Sequence, residues 1–250
     1  MKNNTFVTTL GIMGGAAFLA AAPVKAGTPV APVTPAPVPS SIGAEVSLGY
    51  DTHYIFRGFN YGENLVWAGV DLGVPLTEGL SLNLGSWYGT LAEDSYDELN
   101  LLAGLSYDLG AFEIGVGAIW YYYPQGFDGG GLGIDDSLEL GASIGTNFMG
   151  LDLGLGYYYD LEEEGSYIEL GAEKAIEISD SVALVAGTSV GYARDYYGVD
   201  GFNAVGASLS LPIALGDRTT LKPYIAATWE IDESGQDDEV YGGVSLSVSF

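Results

Sequence analysis

The chain has no cysteine and a single histidine, His53, in 250 residues. The first absence excludes a disulfide framework, and together they exclude the usual thiolate and imidazole metal sites. Positive charge is scarce: 7 Lys and Arg stand against 33 Asp and Glu, a formal net charge of −26. Phosphate binding needs clustered cations, so nucleic acid is excluded as a partner. The body of the chain also lacks any apolar run of about 20 residues, the length a helix needs to cross a bilayer. What is abundant is glycine (38), tyrosine (18), phenylalanine (9) and tryptophan (4). Mean hydropathy is positive despite the charge. That pairing is odd for a water-soluble domain, and the aromatic content excludes disorder in the main body.

Lys2, the mostly apolar run from Phe6 to Ala22 and the small-x-small Val24-Lys25-Ala26 read as a secretory signal peptide over residues 1–26. Residues 27–41 hold closely spaced prolines, which build neither helix nor sheet and read as a periplasmic spacer. With no spanning helix, any membrane crossing by residues 42–250 must use strands.

That region divides into twelve runs of about ten to fourteen residues that alternate apolar and small or polar. A tilted spanning strand needs about 9–11 residues. In Phe112–Trp120, Phe112, Ile114, Val116, Ala118 and Trp120 share one face, with Glu113, Gly115 and Gly117 on the other. The last run ends Val244, Leu246, Val248, Phe250 on its apolar face, as the closing strand of a bacterial outer-membrane barrel does. Phe250 reads as its insertion signal toward the barrel-assembly machinery. The connectors alternate too: longer, acidic, glycine-bearing ones (Gly58–Glu63, Pro124–Asp135, Arg194–Asp200) with tighter turns. Aromatics bunch in two belts: Tyr54, Phe56, Tyr88, Trp120 to Tyr123, Tyr157 to Tyr159, Tyr192 and Trp229, then Tyr107, Phe112, Phe148 and Phe250. These are the marks of an all-β fold, a transmembrane antiparallel up-and-down β-barrel of about 12 strands in the outer membrane, among lipid and lipopolysaccharide.

Strand parity assigns an inward set: Asp51, His53, Arg57, Asp71, Glu98, Glu113, Glu139, Asp152, Glu169, Glu173, Lys222 and Glu230, with Glu45. Isolated carboxylates do not persist in a dry core, so this parity predicts a wet, acid-lined lumen that favours cations. Arg57 at the outer end of strand one reads as pairing with neighbouring acids to fix the loop, in preference to forming half of a transverse field. The longest loop, Pro124–Asp135, is the expected source of any plug.

The segment Tyr54-Ile-Phe-Arg-Gly58, with Asp51 three residues before it, resembles the Asp-Tyr-x-x-Arg-Gly segment that opens the barrel in the TorF-like outer-membrane porin family. In this chain the Asp is not adjacent to the Tyr. The resemblance covers strand one, with the signal peptide and terminal Phe, and implies a presumed channel.

Function therefore reads as a porin-like channel for passive diffusion of small solutes or cations, with no cofactor and no enzymatic activity. A non-conducting structural or binding barrel, whose acidic loops (Glu162-Glu163-Glu164, Asp237-Asp238-Glu239) hold divalent cations, is the open alternative. An enzyme is weakly supported: the serine nearest His53 on its strand face is Ser47, six positions and roughly 20 Å away.

Overall fold

The computed structural model describes residues 42–92, 96–124, 136–231 and 237–250. The signal peptide, the spacer and most of the Pro124–Asp135 loop lie outside them. Among the described residues thirteen strands follow one another: β1 (Gly43–Phe56), β2 (Phe59–Thr77), β3 (Leu80–Leu91), β4 (Asp97–Asp108), β5 (Glu113–Tyr122), β6 (Ser137–Phe148), β7 (Leu151–Asp160), β8 (Ser166–Ser179), β9 (Val182–Tyr196), β10 (Val199–Ser210), β11 (Ile213–Ala214), β12 (Thr219–Glu230) and β13 (Glu239–Ser249). β11 is a two-residue bridge lying between β9 and β12. The other twelve pair antiparallel with their sequence neighbours, and β13 returns to β1 in the register Glu45↔Ser249 to Asp51↔Gly243. The sheet is a closed 12-stranded barrel without free edges, so its backbone donors and acceptors are met within it, as lipid demands.

The two faces follow the alternation. On β4, Leu101, Leu105 and Tyr107 are exposed outward while Glu98, Asn100 and Gly104 are buried inward. The outside is an apolar band, with Leu48, Val66, Val116, Leu140, Leu170 and Ile225 each about half exposed. In water such a continuous surface would drive association; in a bilayer it is the solvated face. Tyr88, Trp120, Tyr157, Tyr192, Phe202 and Trp229 flank it at one end, and Tyr107, Phe112, Phe148 and Phe250 at the other. We call the first end outer, because the longer connectors lie there, while β1 starts and β13 finishes at the opposite end.

Two expectations need correction. Tyr54, Tyr121 and Tyr158 do not sit in a belt at all; they are buried inside the barrel. The segment Gly58–Glu63 is not an acidic outer loop. β1 and β2 stay paired to Phe56↔Phe59, and the chain reverses at Arg57 (φ 53) and Gly58 (φ 84). Positive φ at both central positions is the two-residue type I′ turn, whose twist matches its flanking strands. Arg194–Asp200 is likewise absorbed into β9 and β10 around Tyr197-Gly198.

Candidate functional site

The site begins at a break in register. β1 and β2 shift between Tyr54 and Ile55, a bulge that bends a strand and re-aims its side chains. Tyr54 and Ile55 are adjacent, so one should face lipid, yet each is only 2% exposed. Beyond the bulge the hairpin tip leaves the wall and crosses the lumen.

Tyr54 packs with Leu65, Trp87, Leu91 and Tyr96 on the near side. Ile55 packs with Ala226 and Tyr241. At the tip the Arg57 guanidinium reaches β6, 82 residues further along the chain, and grips Glu139 with both arms: Nη1 to Oε2 at 2.5 Å and Nη2 to Oε1 at 2.9 Å. Nη1 also donates to the Tyr196 hydroxyl at 2.5 Å. The guanidinium carbon stands 4.2, 4.7, 5.0 and 5.3 Å from the ring centres of Tyr158, Phe56, Tyr167 and Tyr196. Behind the guanidinium, Asn203 Nδ2 of β10 donates to the Arg57 carbonyl. Phe59 meets the edge of Tyr197 on the β9–β10 turn, with centroids 6.5 Å apart. Burial and then the Asp160 carboxylate push the Tyr197 phenol up, so it stays a donor toward Asp160 (3.1 Å).

Two further polar centres brace the plug. Glu98 accepts from Tyr54 at 2.8 Å, from Asn100 at 2.7 Å and from Tyr96. Asp51 accepts from Trp67 Nε1 at 2.8 Å and from the Tyr224 hydroxyl at 2.7 Å. The premise that interior carboxylates require water therefore fails in the outer half, where Glu98 and Glu139 are 2% and 1% exposed. Each is met by several donors, and charge-assisted bonds of this kind offset desolvation. Arg57 also departs from expectation. It pairs with an acid on the far wall, where neighbouring acids were expected. Beside the tip lies a cavity of about 20 Å³, lined by Arg57, Gly58, Glu169 and Thr228 among others. That is room for roughly one water.

The inner half has a different character. Its inward faces are small or polar: Ser47, Gly73, Asn83, Ser143, Ser208 and Ser247 carry Glu45, Asp71, Glu113, Asp152, Glu173 and Lys222 among them. Asp71 is exposed although it points inward beside Glu45, so solvent enters this half. Asp152 faces Glu173 across β7 and β8, and Asn147 donates to it at 2.6 Å. His53 meets Thr52 (3.1 Å) and Glu63 (3.8 Å) on the hairpin's shoulder. Glu230, paired in register with Ala204, sits at the outer end of β12. The parity set is thus split between a packed outer cluster (Asp51, Arg57, Glu98, Glu139, Glu169) and an acidic inner chamber. Sequence reasoning missed Tyr121, Tyr158, Tyr167, Tyr196 and Asn203. For Tyr121, Tyr158 and Tyr167 the signal was available, large side chains on the inward phase of outer strand ends; Tyr196 and Asn203 are turned inward by the register shifts between β9 and β10, which strand parity does not show.

No protein-family model matches the sequence, and neither does any curated protein. Solved structures do match the fold. An outer-membrane channel from Pseudomonas putida F1 aligns with a TM-score of 0.54 at 14% identity, over 88% of this chain and 100% of that one. The KdgM porin aligns at 0.52 and 11%, over 82% and 99%. The NanC porin aligns at 0.50 and 12%, over 83% and 98%. This chain has the barrel fold of outer-membrane channels. At these identities the likeness concerns the fold alone.

Proposed function

We propose that the chain is a porin-like outer-membrane channel for small solutes, held closed in its outer half by its own β1–β2 hairpin and favouring cations when the hairpin withdraws. One observation carries this reading: a water-accessible, acid-lined chamber ends at a plug that hangs from a two-strand hairpin and docks on the far wall through the Arg57–Glu139 ion pair, with Phe59 packed on Tyr197 beside it. A structural barrel has no need of a chamber open on one side. The fold shared with the KdgM and NanC porins supports the reading, as does the resemblance of Tyr54–Gly58 to the TorF-like porins. Five acids, Glu45, Asp71, Glu113, Asp152 and Glu173, share the chamber with Lys222, and a lumen of that sign concentrates cations and repels anions.

The test is planar-bilayer recording of the refolded wild type beside a variant in which Ile55–Tyr61 is replaced by Asn-Gly, closing the hairpin at the Tyr54–Gly62 pair. The shortened variant conducts in discrete steps with a cation-selective reversal potential under a KCl gradient, and the wild type is mostly shut. A correctly folded shortened barrel that does not conduct would refute the channel; an anion-selective one would refute the role of the acids.

A further inference from the structure

The pocket that receives Arg57 has the features of a receptor. Its floor is a carboxylate, Glu139, whose side chain has no solvent exposure and whose two oxygens face the two arms of a planar fork. Its rim carries the hydroxyls of Tyr196 and Tyr121, 3.3 and 3.5 Å from those oxygens. Its walls are the rings of Tyr158, Tyr167 and Tyr196, all within 5.3 Å of the guanidinium carbon. All of these parts belong to β5–β9, none to the hairpin, so the pocket persists when the hairpin leaves it. A flat, weakly hydrated cation fits a carboxylate fork and stacks on aromatic faces. A spherical ammonium meets the charge but neither the fork nor the stacking. The acidic chamber leads toward this pocket and raises the local concentration of cations.

We propose that this cage is a binding site for guanidinium-bearing solutes, and that Arg57 occupies it as a built-in stand-in for the ligand. The proposal rests on the channel reading. A solute guanidinium competes with Arg57 for Glu139, so solute and hairpin exclude each other, and binding shifts the barrel toward its open form by differential affinity.

The test uses purified, refolded Arg57→Ala, whose cage lacks its occupant. Methylguanidinium chloride at millimolar concentration raises its unfolding temperature saturably by a few degrees, as a ligand specific for the folded state does. Methylammonium chloride and NaCl at matched ionic strength give smaller shifts. The double variant Arg57→Ala/Glu139→Gln does not respond to methylguanidinium. Equal shifts from all three salts, or a methylguanidinium shift that survives Glu139→Gln, would overturn the site. Should Arg57→Ala not refold, wild-type barrels in a bilayer serve: methylguanidinium then raises open probability saturably, and an effect no larger than that of methylammonium overturns the proposal. The thermal shift reads binding without conductance, so in that assay the two ideas fail separately. A saturable shift in a barrel that never conducts leaves the site and refutes the channel; conductance without the shift does the reverse.

Discussion

Substituting Arg57 by Ala should unlatch the hairpin, and the size of the effect follows from the contacts. Closed, the wild type holds a bidentate pair between a guanidinium side chain 7% exposed and a carboxylate fully buried. Open, both groups are hydrated. Arg57→Ala leaves Glu139 buried and uncompensated in the closed form, which for a broken buried pair costs about 3–5 kcal/mol. Glu139 retains Tyr196 and Tyr121 nearby, so the lower end applies, about 3 kcal/mol. At about 1.4 kcal/mol per factor of ten, the closed-to-open ratio falls by roughly two orders of magnitude. Glu139→Gln leaves the guanidinium stranded instead and acts in the same direction. Replacing both partners, as Arg57→Met with Glu139→Leu, removes the buried charges together and is close to neutral, so the double variant stays shut. The assay is efflux of a small neutral sugar from proteoliposomes, normalised to folded barrel. Fast efflux from both single variants and slow efflux from the double one is the expected pattern. Single variants as tight as wild type, or a double variant as leaky as the singles, would refute the latch.

Other perturbations separate the parts of the account. Tyr54→Phe removes one of three donors to the buried Glu98 and should lower stability by about 1–2 kcal/mol, seen as an earlier urea midpoint by tryptophan fluorescence; an unchanged midpoint contradicts the role of that centre. Gly191 lies beneath the Tyr167 ring, in space that a side chain would need. Gly191→Val therefore drives that ring out of the cage and raises sugar efflux, whereas efflux at the wild-type rate would show that the ring does not hold Arg57. Val116 on the outer face of β5 is 56% exposed; Val116→Arg places a charge in lipid at a cost of about 2–4 kcal/mol near the midplane. Its inward neighbour changed as Gly115→Ser should be near silent in the same refolding titration, and equal effects would contradict the assigned faces.

The fold was legible because a barrel wall obeys a period of two almost everywhere. Val46, Leu48 and Tyr50 alternate with Glu45, Ser47 and Gly49 in sequence as they do in space. The plug was illegible because it lives where that period breaks. At the bulge two adjacent residues, Tyr54 and Ile55, both turn inward, and parity carried past it misreads Gly58–Glu63 as loop. The partner of Arg57 was equally hidden: Glu139 is one of ten inward acids, and only the curvature of the closed sheet brings β6 opposite β1. Position near strand ends places Tyr121 and Tyr158 in a belt, although their own parity points to the lumen. Taking that parity at its word would have announced a filled outer half.

The most direct test of the closed lumen is a crosslink from hairpin tip to far wall, and a chain without cysteine is a clean background for it. Cysteines placed as Phe59→Cys and Tyr197→Cys replace two rings whose centres are 6.5 Å apart. In the folded, membrane-inserted barrel the pair should join through a short thiol-reactive linker in high yield, and the joined barrel should stay shut under conditions that open Arg57→Ala. Failure to crosslink in a correctly folded barrel, with each cysteine singly reactive, would mean that the tip does not cross the lumen, and the account of a self-plugged channel would fall with it.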